Sequence, residues 1–333
     1  MAHCQQALDI VLQLSETAPN DLRAREVAMT YLTKMANMLE QTDPDSALNH
    51  YQQALGNARL LVQAEPNDPD SLLDLAVCLG QVGDMLQTSE PSAALAHFEE
   101  SLQISRYLVE CDPHDPEALR DLGVALDKVA GLIRNSDPDT ALAYYRESMM
   151  ARKHVLRIVQ HQPQAIRELG ASVTTVAFML QEKDPDAALA HYRLAVDAAR
   201  HLAESEPNDR QAQRGLIMSL NNIGNLLQQS DPDAALSHYH EALGIARSLA
   251  DGEPKDLMAQ EDLASALLHM ATGTGDRAYW EEALEILRRL YSIQEWRDRV
   301  RPLLKPALAA YARSVETTDP DRAAKLRAEA EEI

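Results

Sequence analysis

Several residue types that can do chemistry recur at regular intervals in this 333-residue chain. Asp-Pro-Asp stands at 43–45, 137–139, 184–186, 231–233 and 319–321. Clustered carboxylates can hold calcium, but a calcium loop also needs a glycine at its sharp turn and a distal bidentate glutamate. Neither is present, and helix capping accounts for the motif: Asp caps free N–H groups and Pro suits the first helical position. His50, His97, His191 and His238 form a ladder, with Tyr144 in the gap. Adjacent helices lie about 10 Å apart and zinc ligands sit ~2 Å from the metal, so the ladder cannot converge on one ion. It reads as a half-buried structural position.

A basic ladder, Arg59, Arg106, Lys153, Arg200 and Arg247, faces an acidic one at Asp74, Asp121, Glu168 and Asp262. Counted across the intervening loop, the two stand at similar heights on antiparallel helices. The expectation is an ion pair within each repeat. Gly215 interrupts the acidic ladder and should leave Arg200 free. Cys4, Cys78 and Cys111 have neither metal-ligand spacing nor an even disulfide pattern, which points to a reducing compartment, the cytoplasm. The sequence has no phosphate loop, nucleophile elbow or zinc-protease His pair. The reading is a protein without enzymatic activity and without a metal or cofactor.

These residues repeat because the whole chain repeats. Pro44, Pro91, Pro138, Pro185 and Pro232 are each 47 residues apart, and so are Leu75, Leu122, Leu169, Leu216 and Leu263. Each unit holds two amphipathic segments. The first carries Leu75, Leu79, Val82 and Leu86 on one helical face, and the second carries Ala47, Leu48, Tyr51, Ala54 and Leu55. A small residue recurs at Gly83, Ala130, Ala177, Gly224 and Ala271, and an aromatic at Tyr51, Phe98, Tyr145, Tyr192 and Tyr239.

The run Leu79-x2-Val82-Gly83-x2-Leu86, then Ala94-x3-Phe98, resembles the tetratricopeptide signature; so does Leu220-x2-Ile223-Gly224-x2-Leu227, then Ala235-x3-Tyr239. The period departs from the family's ~34 residues, and the extra length is assigned to both helices, mostly the second. The resemblance implies an all-α fold, an α-solenoid of antiparallel helix pairs wound into a right-handed superhelix. The pairs are expected at 20–64, 67–111, 114–160, 161–206, 208–253 and 256–293, within a single solenoid spanning 1–333. A half repeat precedes them at 1–18 and capping helices follow at 294–333. Trp280 is expected to replace a helix-starting Pro, with Ala283-Leu284 standing where Ala235-Leu236 stood. Pro302 and Pro306 should delay the next helix to about residue 306.

The resemblance also implies a protein or peptide partner in a concave groove lined by the first helices. On that face lie Lys34, Asn37, Gln81, Asp84, Lys128, Arg134, Thr175, Gln181, Asn221, Asn222, Asn225 and Gln228. Asn225 is expected to hydrogen-bond a peptide backbone as both donor and acceptor. His3 to Leu8 match His50 to Leu55, so the chain opens inside a second helix. The missing half points to a longer parent protein, whose other domain is then a candidate partner, or to a partner that covers this helix. Self-assembly through the ends is a further reading. A net charge of −21 without a basic stripe excludes a nucleic-acid footprint. No apolar run nears the ~18 residues of a membrane span.

Overall fold

The computed structural model describes residues 21–333 apart from His161; the half repeat expected at 1–18 lies outside the described residues. Helices follow one another in pairs: α1 (Leu22–Leu39) with α2 (Pro44–Ala64), α3 (Pro69–Leu86) with α4 (Pro91–Cys111), and α5 (Pro116–Ile133) with α6 (Pro138–Val159). Then come α7 (Pro163–Leu180) with α8 (Pro185–Ser205), α9 (Arg210–Leu227) with α10 (Pro232–Gly252), and α11 (Leu257–Thr274) with α12 (Arg277–Tyr291). A 3₁₀ turn (Gln294–Trp296) leads to α13 (Arg297–Val315) and α14 (Pro320–Glu332). The chain divides into two compact units, one ending at Ala165 and the other running Ile166–Ile333. Among the described residues no helix is long and apolar enough to cross a membrane.

Local chemistry sets the boundaries. Asp43, Asp137, Asp184, Asp231 and Asp319 each accept a backbone N–H from three residues on, with Pro at the first helical position. At Asp43 the Ser46 hydroxyl, and then its amide, hold the carboxyl below its usual range. Glu90 is the exception and makes no capping bond from its side chain. The first helices α1, α3, α5, α7, α9 and α11 all have 18 residues. Second helices run to 21 or 22 until α12, which has 15.

Packing follows from the alternation of one small residue with one ring. A Cβ placed on Gly83 would lie 2.4 Å from the Phe98 ring, and one on Gly224 would lie 2.4 Å from that of Tyr239. The glycines therefore let the ring rest against helix backbone. Phe98 and Tyr239 are fully buried, which places each at the centre of its own unit's core. Ser101 and Ser148, buried on α4 and α6, donate to the Ala76 and Gly123 carbonyls of the preceding helices at 2.9 and 3.1 Å.

Two expectations about the C-terminal region are corrected. Trp280 does not replace a helix-starting Pro: α12 begins at Arg277, with Asp276 as its cap, and α11 ends on Gly275 in the left-handed region at φ 72°. Between the end of α11 and the ring position of α12 six residues are missing, two from the turn and four from the start of the helix. Trp280 therefore takes the place of the aromatic, buried and stacked 5.7 Å from Tyr311, and Ala283-Leu284 follow Ala242-Leu243. Nor does α13 wait for residue 306; it starts at Arg297 and carries Pro302 and Pro306 inside it. An interior proline costs about 3 kcal/mol. Here it is offset by burial of Val300, Leu304, Leu308 and Tyr311 on one face, at ~1.5–3 kcal/mol for each large apolar side chain.

Candidate partner-binding face

The basic ladder pairs differently from expectation. Arg59 reaches Glu100 at 2.9 Å, Arg106 reaches Glu147 at 2.8 Å, and Arg200 reaches Glu241 at 2.8 Å. Arg247 with Glu282 and Arg288 with Glu329 continue the series at 2.8 and 2.5 Å. All join one second helix to the next, so Arg200 is not left free by Gly215. The helix nearest along the chain is not the one beside the Arg head. The acids expected to pair with this ladder stand on the first helices, where Asp262 is bonded to Arg214 of the preceding one. Burial pushes the Asp74 carboxyl up, helped by Glu26, Asp70 and Asp68, and burial does the same at Asp121.

In the first unit, two of the residues expected on the partner face are engaged with each other and the rest stand apart. Asp84 on α3 accepts from Lys128 on α5, and the Lys128 ammonium lies 5.9 Å from the Phe98 ring centroid. The exposed Asn37 accepts the Tyr51 hydroxyl at 2.5 Å. Lys34 is exposed, 5.8 Å from the Tyr31 ring centroid, and Arg134 is exposed at the end of α5. Gln81 is half-buried and its Oε1 has no hydrogen-bond partner among the described residues.

In the second unit, Asn225 repeats the arrangement of Asn37. Its carbonyl oxygen accepts the Tyr239 hydroxyl at 2.7 Å, so what it offers outward is its amide. Asn221 is buried, and its Oδ1 has no partner among the described residues. Gln181 and Gln228 are half-buried just past the ends of α7 and α9. Asn222, with Thr175 opposite, lines a groove that sequence reasoning missed.

That groove has a volume of about 550 Å³ and lies between α7 and α9, with α8 as its floor. Ala195, Ala198 and Ala199 keep the floor low, and Gly170 and Gly215 strip side chains from facing walls. A Cβ at either glycine would meet nothing within 4 Å. The wall hydroxyls are already used: Thr174 donates to the Gly170 carbonyl at 2.9 Å, Thr175 to Ala171 at 3.1 Å and Ser219 to Gly215 at 2.9 Å. The exposed wall is therefore mostly apolar, with Met218 on it at 63% exposure. The available signal was the coincidence of Gly170 and Gly215 at nearby first-helix positions.

Two arginines supply the only formal charge on the lining. Arg167 Nη1 donates to Asp209, the cap of α9, at 3.0 Å. Arg214 forks onto Asp262 of α11, Nε at 2.5 Å and Nη2 at 3.1 Å. Burial pushes the Asp262 carboxyl up, while Arg214 pulls it back. Among the described residues no group of three or more His, Cys, Asp or Glu is placed to hold a metal ion.

No family model and no curated protein matches the sequence. Solved structures do match. The apo form of RapI aligns with a TM-score of 0.58 at 14% identity, covering 91% of this chain and 96% of that one. The S. pombe nuclear import adaptor Nro1 aligns with a TM-score of 0.53 at 12% identity, covering 85% and 99%. A tetratricopeptide repeat protein from Parabacteroides merdae gives 0.47 at 12% identity, over 91% and 98%. At such identities the likeness concerns the fold, and the fold is a tetratricopeptide-like array of antiparallel helix pairs.

Proposed function

We propose that this chain is a non-enzymatic protein-interaction module that takes a peptide or protein segment on the face built by its first helices. The observation that carries this is the groove between α7 and α9. It is open, walled by apolar atoms, floored by alanines and ended by the Asn222 amide. A peptide needs that combination: apolar area for affinity and a few polar groups for orientation. Val77 and Val124 stand at the corresponding position of first helices in the other unit, 47% and 48% exposed. In Nro1 a similar fold serves as a nuclear import adaptor. A reducing cytoplasm suits the free thiols of Cys78 and Cys111.

Selection of a displayed random-peptide library on the purified chain tests this reading. Peptides enriched on the native chain should lose at least about tenfold in affinity on Met218→Lys, since a charge then stands in the apolar wall. Circular dichroism should show the helices unchanged. Undiminished binding to Met218→Lys moves the site off this face, and no enrichment at all defeats the reading.

A further inference from the structure

The groove lacks one side chain that its neighbour possesses. Arg214 on α9 and Asp262 on α11 are 48 residues apart, and Arg214 Nε donates to that carboxylate. Arg167 stands on α7 where Arg214 stands on α9, one 47-residue repeat earlier. Its counterpart acid would fall at position 215, which is glycine. Arg167 turns one nitrogen, Nη1, to Asp209. Its Nε is buried and has no hydrogen-bond partner among the described residues. The nitrogen used in one repeat is thus the nitrogen left over in the other. A buried N–H of a cation without an acceptor costs more than a neutral one, and pairing it returns that loss. The space is there as well: Gly215 faces open groove, and the lining carries arginine but no carboxylate.

We infer that the groove between α7 and α9 receives an aspartate or glutamate side chain from the bound segment, and that this carboxylate takes the position vacated at Gly215 and accepts from Arg167 Nε. The partner supplies in trans the acid that Asp262 supplies in cis one repeat on. Around it, the alanine floor and the Met218 wall fit small apolar neighbours in the bound segment. This rests on the protein-binding reading above and adds the chemistry of the recognised residue.

The test uses end-blocked peptide libraries with the central position fixed as Asp or Glu, as Asn or Gln, or as Lys, and the flanks randomised. The acidic library should be enriched on the native chain, and its selected peptides should weaken about tenfold or more when the acid becomes its amide. Gly215→Asp, which fills the position in cis, should abolish the acid preference and raise the melting temperature. Arg167→Gln should abolish the preference too. Enrichment without acid bias, or an unchanged bias on Gly215→Asp, overturns the inference and leaves the protein-binding reading standing. A bias that appears only with unblocked C-termini assigns the carboxylate to a chain end and overturns the side-chain assignment. No enrichment of any library defeats both.

Discussion

Arg200 on α8 holds Glu241 on α10 through a single nitrogen, Nη2, which lies 2.8 Å from one carboxylate oxygen and 3.1 Å from the other. The pair spans 41 residues, as do Arg59 with Glu100 and Arg106 with Glu147. Both partners are more than a third exposed. Such pairs are worth at most ~1 kcal/mol each. Glu241→Ala should therefore lower unfolding free energy by less than about 1 kcal/mol, with the loss shrinking in high salt. Urea melts at two ionic strengths check it; a salt-independent loss of several kcal/mol would mean the pair is far better shielded than its exposure indicates.

Tyr239 is a different case, with its ring against the Gly224 backbone and its hydroxyl on Asn225. Tyr239→Ala should cost about 3–5 kcal/mol by opening a cavity. Tyr239→Phe should cost about 1 kcal/mol, the worth of one hydrogen bond. An exposed control, Gln53→Ala, should stay within ~0.5 kcal/mol. Equal losses at Tyr239 and Gln53 would refute this assignment of the aromatic. Cooperative melts of each variant give the comparison, fitted as a repeat array rather than as one two-state domain.

These contrasts bear on what could be read from sequence. Caps were legible because Asp-Pro-Asp acts on the backbone three residues away. The small-residue and aromatic positions were legible because both recur at 47 residues in a fixed frame. Ion-pair partners were not: Arg59 lies closer along the chain to Asp74 than to Glu100, but stacked repeats bring second helices side by side. The Trp280 expectation fails because six absent residues shift the frame between α11 and the ring position of α12, as the Arg247–Glu282 spacing of 35 also shows. The groove was invisible because it consists of side chains that are missing.

His269 is half-buried and stacked on the Tyr239 ring at 5.3 Å, and its removal from water pushes its pKa down to about 4. The folded state therefore holds the ring neutral, while the unfolded chain binds a proton below about 6.5. Stability from this site is complete above 6.5 and is lost as pH falls toward 4, by about 3 kcal/mol in all. His269→Phe should flatten that stretch of the stability–pH profile. A variant profile parallel to the native one would remove His269 as the cause.

Asp74 carries the opposite sign. Burial and the acids Glu26, Asp70 and Asp68 raise its carboxyl pKa, so its charge opposes folding at neutral pH. Asp74→Asn should stabilise the chain, by ~1 kcal/mol or less because the carboxylate is partly solvated. The gain should be present above the raised pKa and vanish once pH falls below the unfolded value of 3.8. Thermal melts of both proteins at neutral and acidic pH decide it; a gain that persists in acid would have another origin.

The shortened α12 shows where this architecture tolerates a change of length. Six residues vanish from the turn and the opening of a second helix together, yet Trp280 still finds its slot and Arg247 still finds Glu282. The ring and the acid that tie this repeat to its neighbours, Trp280 and Glu282, lie downstream of the site of loss. A tandem copy of Pro69–Asp115 would likewise present every surviving neighbour with its usual mate. Growth and shrinkage by whole modules, or by a turn at a helix start, are thus open to this polypeptide without redesign of its interior. Its reach can be altered by copy number while the chemistry of a single groove stays as it is.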